Sequence, residues 1–71
     1  MMDYNVGDVV AQTPFGGGVR YVRVTGKDQN IKNGRPGFDG DLVLRDGTPV
    51  EMEFSGVWGY DDQITEVIKG I

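Results

Sequence analysis

DLVLRDGTPVEMEF, residues 41–54, is the stretch of this chain that decides its fold. Apolar and polar side chains alternate on both sides of Asp46-Gly47. An Asp-Gly pair between two alternating runs is typical of an antiparallel β-hairpin. The stretch therefore predicts a β architecture, and it does not by itself indicate a chemistry.

The length of the loop sets which side chains lie opposite each other in this hairpin. A two-residue loop, Asp46-Gly47, places Leu42 opposite Glu51, which is a poor match. A three-residue loop that begins at Arg45 and ends with Gly47 in the left-handed region places Leu42 opposite Val50. We therefore predict the three-residue loop.

The three-residue loop also places Leu44 opposite Thr48 and Phe38 opposite Phe54, so that residues 38–45 and 48–54 pair as two strands. One face of the hairpin is then apolar and is expected to form the core: Phe38, Leu42, Leu44, Val50, Met52 and Phe54. The other face carries Asp41, Val43, Glu51, Glu53 and Ser55. Because like charges meet there, at Asp41 and Glu51, that face is expected to be exposed to solvent or to hold a cation.

The length of the chain, 71 residues, suits a single domain that covers residues 1–71 and has one small core. It has 12 glycines among 71 residues, which is a larger share than the average of about 7% in proteins. Such a density of turn-forming residues favours a small β-barrel over a helical bundle. A core of this size also leaves no room for a deep active-site cleft.

The chain has no cysteine and no histidine, and its formal net charge is −4. Without thiols the fold needs no oxidising compartment, so we expect a cytoplasmic protein. No basic segment followed by an apolar core opens the chain, and no run approaches the roughly 18 apolar residues of a membrane span. The sequence predicts a soluble protein without a cofactor.

The remaining segments are predicted from turn-forming and β-branched residues. A turn at 6–8 leads into a first strand, and the glycines at 16–18 form a flexible loop. Residues 19–25 form a second strand, in which Arg20 and Arg23 fall on opposite faces, so that a bulge or an edge position is expected. Residues 26–37 are polar and rich in turn formers, and we predict a long projecting loop.

The segment 61–71 is compatible with two structures. The spacing of Ile64, Val67 and Ile68 fits a helix that an aspartate would cap. A 3₁₀ turn at 61–64 followed by a closing strand at 65–68 fits equally well. We predict the turn and strand, because a small five-stranded sheet needs its edge covered.

The order of five short strands, a long loop, a central hairpin and a one-turn link to the last strand resembles the SH3-like small barrel. Residues 58–68, which read WGYDDQITEVI, are similar to the way SH3 domains enter their final strand. The aromatic-acidic motif and the paired tryptophans of peptide-binding SH3 domains are missing, which argues against a groove for proline-rich peptides. Residues 34–40 and 58–64 also resemble phrases in small uncharacterised proteins of bacteria and their phages, and that resemblance implies only an accessory role.

Aromatic side chains offer the best candidate for a functional surface. Small barrels use such side chains with adjoining loops to hold peptides or bases. We predict a protein-binding or adaptor module whose surface joins the loops at 16–18 and 27–37 to a cluster of rings and one arginine: Phe15, Tyr21, Arg35, Trp58 and Tyr60.

Two other functions stay open from the sequence. Five cations could follow a nucleic-acid backbone beside a stacking ring, although the acidic composition disfavours this: Arg20, Arg23, Lys27, Lys32 and Arg35. A structural subunit that pairs with a second copy through an exposed strand edge is the third hypothesis.

Neither catalysis nor a metal site is expected. A general base that works near neutral pH would have to be a carboxylate buried in a core too small to bury it. The glycines at 16–18 lack the lysine and the helix of a phosphate-binding loop. Turn formation and capping account for the acids at 39, 41, 51, 61 and 62 without a bound cation.

Overall fold

The fold is one antiparallel sheet. The structure, a computed structural model, describes residues 3–51 and 56–69. In that part the elements are β1 Val9–Gln12, β2 Arg20–Lys32, β3 Arg35–Val43, β4 Gly56–Tyr60, a 3₁₀ turn Asp61–Gln63 and β5 Ile64–Ile68. The strands lie in the order β4-β3-β2-β1-β5, so β4 and β5 are edges and the sheet is not closed. The prediction of an all-β fold of five strands is confirmed.

The core lies on one face of the sheet, because residues that pair directly across two strands share a face. Val10 of β1 pairs with Val22 of β2, and Val22 pairs in turn with Leu42 of β3. The buried cluster consists of Tyr4, Val10, Val22, Val24 and Phe38, with Val57, Ile64 and Val67 packed against it. No helix in the described residues has the length and apolar character that crossing a membrane requires.

Tyr4 fastens the 3₁₀ turn to this core. Its ring meets Phe38 edge to face, with the ring centroids 5.8 Å apart, and its hydroxyl donates to the carboxylate of Asp61. The Lys27 ammonium donates to the Tyr4 carbonyl at 2.8 Å and lies 4.2 Å from the centroid of the ring. Burial, and then the bond to Asp61, raise the pKa of Tyr4 well above its ordinary value, so the phenol stays protonated and remains a donor.

The reversal after β3 has the predicted three-residue loop. The Leu44 N–H donates to the Thr48 carbonyl at 2.8 Å, and the Val50 N–H donates to the Leu42 carbonyl at 3.3 Å. Gly47 has a φ of 90°, in the left-handed region. The register of the loop is therefore confirmed.

The prediction of a strand at 48–54 is wrong for residues 48–51, which the structure describes. Within residues 48–51 only a single bridge forms, between Val43 and Pro49, and residues 52–54 lie outside the described part of the chain. The Val50 N–H still bonds the Leu42 carbonyl, but the ladder goes no further in the described residues, and β4 lies beside residues 37–41 of β3 instead. The residue opposite Phe38 is Gly59 of β4 and not Phe54.

The predicted facing also fails near the end of β3. Leu44 is 53% exposed, whereas Val43, predicted on the exposed face, is buried. Val43 pairs with Tyr21, which pairs with Ala11 on a strand that buries both of its faces. Ala11, Tyr21 and Val43 thus form a second apolar strip, on the face of the sheet that alternation alone would leave to solvent.

The largest correction concerns residues 26–37, predicted as a projecting loop. They are the far halves of β2 and β3, joined at Asn33-Gly34 into a hairpin that we call the arm. Asn33 and Gly34 both have positive φ, 58° and 75°, which is the geometry of a type I′ turn. Opposite Pro36, β2 carries the extra residues of a bulge, and the Asn30 side chain there accepts from the Gly34 N–H at 2.8 Å.

Gly34→Ala should destabilise the arm and the domain. A side chain at a φ of 75° is strained, and the left-handed region costs roughly 1–2 kcal/mol for a residue other than glycine. We expect a loss of about that size in the free energy of unfolding, measured by urea denaturation. Gly16→Ala is the control, because Gly16 is not held at positive φ and has open space around it. Equal midpoints for the two variants would contradict the turn.

The expected bulge or edge position at Arg20 and Arg23 is wrong, because β2 is a central strand and its pairing with β1 is regular from Arg20 to Arg23. A register shift comes later in β2, between Val24 and Gly26. The prediction for the end of the chain agrees with the structure. The 3₁₀ turn at Asp61–Gln63 and the strand β5 replace the alternative of a long helix. β5 pairs with β1, so the last strand covers an edge of the sheet.

Candidate functional site

Three rings meet on the side of β4 that faces away from the core, and we call them the aromatic patch: Phe15, Trp58 and Tyr60. Tyr60 lies at the centre. The centroid of its ring is 6.1 Å from that of Phe15 and 5.3 Å from that of Trp58, and both pairs of rings meet edge to face. Tyr60 is 4% exposed, whereas Trp58 is 41% and Phe15 83% exposed. The buried tyrosine therefore supports two rings that solvent reaches.

Strand alternation explains why β4 presents these rings. Gly59 pairs with Phe38 and faces the core, so Trp58 and Tyr60 on either side of it face outward. A methyl group at Gly59 would lie 2.1 Å from the side-chain nitrogen of Gln12. The glycine thus leaves room for a buried polar side chain directly beneath the aromatic patch.

Three cations border the patch, and we call them the cationic rim: Arg20, Lys32 and Arg35. The Lys32 ammonium lies 5.1 Å from the centroid of the Trp58 ring, and the Arg35 guanidinium lies 3.9 Å from that of Tyr60. Arg35 also forms an ion pair with Asp62. Two of the three cations come from the arm, so the Asn33-Gly34 turn places positive charge over the rings.

Gln12 links the core to the rim, although it was not predicted as a site residue. It is buried, and its side chain donates to Gln63 at 2.7 Å while accepting from the Arg20 Nε at 2.8 Å. Arg20 in turn donates through Nη2 to the Trp58 carbonyl at 2.9 Å. The sequence does carry one indication of this arrangement, since Gly59 between two aromatic residues in a strand marks a close approach.

A hollow of about 160 Å³ opens between the two exposed rings. Its walls are the rings and Pro14, and its polar groups are two amides and one guanidinium; the full lining is Gln12, Pro14, Phe15, Arg20, Trp58 and Gln63. Ligand sites for whole small molecules measure about 300–1,000 Å³. The hollow therefore suits a single side chain better than a cofactor.

A larger hollow, of about 350 Å³, lies below the arm and is a weaker candidate. Its charged groups already have partners: Lys27 donates to the Tyr4 carbonyl, Asp61 accepts from the Tyr4 hydroxyl, and Asp28 accepts from the Asn30 N–H. These bonds hold the arm and the 3₁₀ turn in place. Among the described residues that line this hollow there is no aromatic ring, in contrast to the hollow between Phe15 and Trp58.

The structure brings four of the five predicted binding residues together: Phe15, Arg35, Trp58 and Tyr60. Tyr21 makes its contact elsewhere, 5.8 Å from the guanidinium of Arg45. Arg45 in turn forms a two-pronged ion pair with Glu66, which lowers the pKa of that carboxyl. Tyr21 therefore belongs to a neighbouring polar cluster that also includes β5.

The five cations of the nucleic-acid hypothesis do not form one track. Arg20, Lys32 and Arg35 make up the rim, but Lys27 turns to Tyr4, and Arg23 donates to the Gly7 carbonyl at 2.7 Å. Residues 3–51 and 56–69 bring together no three acidic side chains in a geometry that could hold a metal ion.

Comparison of the chain with protein-family models, with curated proteins and with solved structures finds no match. The function proposed below therefore rests on the geometry and charge of the described residues.

Proposed function

We propose that this chain is a small, non-catalytic protein-binding module with an SH3-like strand order. A peptide segment of its partner lies across the aromatic patch and against the cationic rim. The meander from β1 to β4, with the 3₁₀ turn that returns β5 to the side of β1, supports the comparison with SH3-like barrels. The open face of β4, between the loop at 16–18 and the arm, is the binding surface.

The observation that carries this proposal is the exposure of Phe15. The Phe15 side chain is 83% exposed and lies edge to face with the Tyr60 ring, so that it extends an apolar surface into solvent. Rings and arginines that are already ordered lose little entropy on binding, and they dominate the energetics of protein interfaces. Trp58 extends the same apolar surface on the other side of the hollow.

Phe15→Ala should strongly weaken binding without unfolding the domain. In a display experiment with random short peptides, peptides retained by the unchanged protein should bind Phe15→Ala at least about tenfold more weakly, as expected for loss of a ring worth about 1.4 kcal/mol or more. The thermal unfolding midpoint should barely change, because the ring contributes little to the core. Trp58→Ala should weaken the same peptides.

Leu44→Ala is the matched control, since it removes another exposed apolar side chain, directly after the end of β3. It should retain the selected peptides with unchanged affinity. If Phe15→Ala also retains them, or if no peptide is selected at all, the proposed function is wrong.

Nucleic acid is a second candidate, which the position of Lys32 over Trp58 favours, because a cation beside a ring is common where bases stack. The net charge of −4 opposes it, and so do Asp39, directly across from Trp58, and Asp62 beside Arg35. Both carboxylates would repel a phosphate backbone. Self-association through a strand edge stays a prediction, which sedimentation at increasing concentration tests.

A further inference from the structure

The charge of the rim points to the chemistry of the partner. Among the described residues the salt bridges join Arg35 to Asp62, Arg45 to Glu66, and Lys69 to Asp8. Arg20 and Lys32 take part in none of them. In a protein with a formal net charge of −4, two cations that have no carboxylate partner among the described residues thus lie beside the exposed rings: Arg20 lines the hollow with Phe15 and Trp58, and Lys32 lies over Trp58.

The Arg20 guanidinium is already oriented by hydrogen bonds and keeps N–H groups with which it can bind a ligand. Its Nε and Nη2 donate to two neutral acceptors, the side-chain oxygen of Gln12 and the Trp58 carbonyl. A guanidinium has five N–H groups in a planar fork, so three of them stay available within the described part of the chain. Because the bonds to Gln12 and Trp58 fix the orientation of the plane, little side-chain entropy is lost when the free side of the fork receives an acceptor.

We infer that the segment bound by this surface carries a carboxylate next to an apolar side chain, the carboxylate on Arg20 and the apolar side chain in the hollow between Phe15 and Trp58. This inference rests on the proposed function and names the class of its ligand. Arg20 lines the same hollow as the two rings, so a single short segment reaches both. Lys32, over Trp58, adds attraction from the other side.

One carboxylate matches this surface better than a chain of phosphates does. The free fork of Arg20 has the two-pronged geometry that a carboxylate accepts. A polyanion would extend beyond the fork towards Asp39 and Asp62, which lie beside Trp58 and Arg35. An acidic and apolar peptide is therefore the occupant that the charges favour.

The test uses a display library of random short peptides and then one selected peptide in two forms. The selected pool should be enriched in aspartate or glutamate beside a large apolar residue. For the best binder, replacing the acid by its amide should weaken binding to the unchanged protein about tenfold or more, the effect of one charge-assisted hydrogen bond. This comparison changes only the peptide, and the protein stays the same.

The same two peptides are then measured on Arg20→Gln, with Arg45→Gln as the control that removes an equal charge at the Tyr21 cluster. The acid and amide peptides should bind Arg20→Gln equally, whereas Arg45→Gln should preserve the difference. Lys32→Gln should weaken the acidic peptide without abolishing the difference. The folded state of each variant is checked by its thermal unfolding midpoint.

The outcomes separate the two proposals. Binding that needs Phe15 but shows no preference for the acidic peptide overturns the inference about the carboxylate and leaves the binding module standing. If no peptide binds through Phe15, both proposals are wrong. Binding of labelled random single-stranded DNA through Phe15, in the absence of peptide binding, would replace both with the nucleic-acid function.

Discussion

Gly40→Ala should remove most of the stability of this domain. A Cβ at this position would lie 2.1 Å from the carbonyl oxygen of Arg23 and 2.8 Å from a methyl group of Val22. The first neighbour is backbone of the adjacent strand β2, so the clash is relieved only by parting β2 and β3. Overpacking of this kind costs up to about 3 kcal/mol, and a core this small supplies a net stability of about 3–5 kcal/mol.

The measurement for Gly40→Ala is thermal unfolding followed by circular dichroism. Each kcal/mol lowers Tm by about 4–8 °C in a domain of this size. Because the clash is with backbone, we expect a cost at the upper end, about 3 kcal/mol, and hence a fall of roughly 12–24 °C. Gly56→Ala on β4 is the control, because no described residue other than its chain neighbour lies within 4 Å of its added methyl group and its φ is not positive. Equal Tm values for the two variants would show that β2 and β3 do not approach each other as described.

Phe38→Ala should be the most damaging change to the core. The Phe38 ring is fully buried and contacts Tyr4 edge to face, so its removal leaves a cavity that the rigid sheet cannot fill. Replacing a buried phenylalanine by alanine costs about 3–5 kcal/mol. We expect the variant to be unfolded, or nearly so, in the absence of denaturant, as measured by urea titration.

The two phenylalanines Phe38 and Phe15 make a matched pair for this prediction. Phe15→Ala deletes the same ring from an exposed position, so its urea midpoint should stay close to that of the unchanged protein. If Phe15→Ala unfolds the domain, the aromatic patch belongs to the core and not to a binding surface. If Phe38→Ala is stable, the core has been assigned to the wrong face of the sheet.

The sequence predicts the features that depend on neighbouring residues. The Arg45–Gly47 loop follows from its register and from the left-handed φ of Gly47. The 3₁₀ turn before β5 follows in the same way, because the chemistry that closes it lies within the turn, where the Gln63 side chain accepts from the Tyr60 N–H at 3.1 Å. Residues within each turn provide this chemistry, and the bond from the Tyr4 hydroxyl to Asp61 then attaches the 3₁₀ turn to the core.

The sequence fails where distant segments compete for the same strand. Alternation allows residues 38–44 to pair with either 48–54 or 56–60. Gly59, which makes room above Phe38, fits β4 to this place, and β3 pairs with residues 56–60. The arm could not be predicted for a different reason. Asn33-Gly34 is a typical pair for a hairpin turn, but the residues on both sides of it are polar and show no alternation, so the sequence gives no sign of two strands.

The candidate site could be predicted in part. The rings and Arg35 could be chosen from the sequence because small barrels use aromatic side chains with adjoining loops to hold their partners. That Trp58 is exposed while Tyr60 is buried depends on packing by Phe15 from a distant loop. The role of Gln12 depends on three strands meeting beneath Gly59, which no pattern within one strand reveals.

Amide NMR of the labelled protein during titration with the selected acidic peptide tests the central claim most directly. We expect the largest shifts at Phe15, Arg20, Lys32 and the indole N–H of Trp58, with Leu44 unmoved. Shifts centred on the Arg45 cluster or on β5, with the Trp58 indole unchanged, would contradict the assignment of the binding surface.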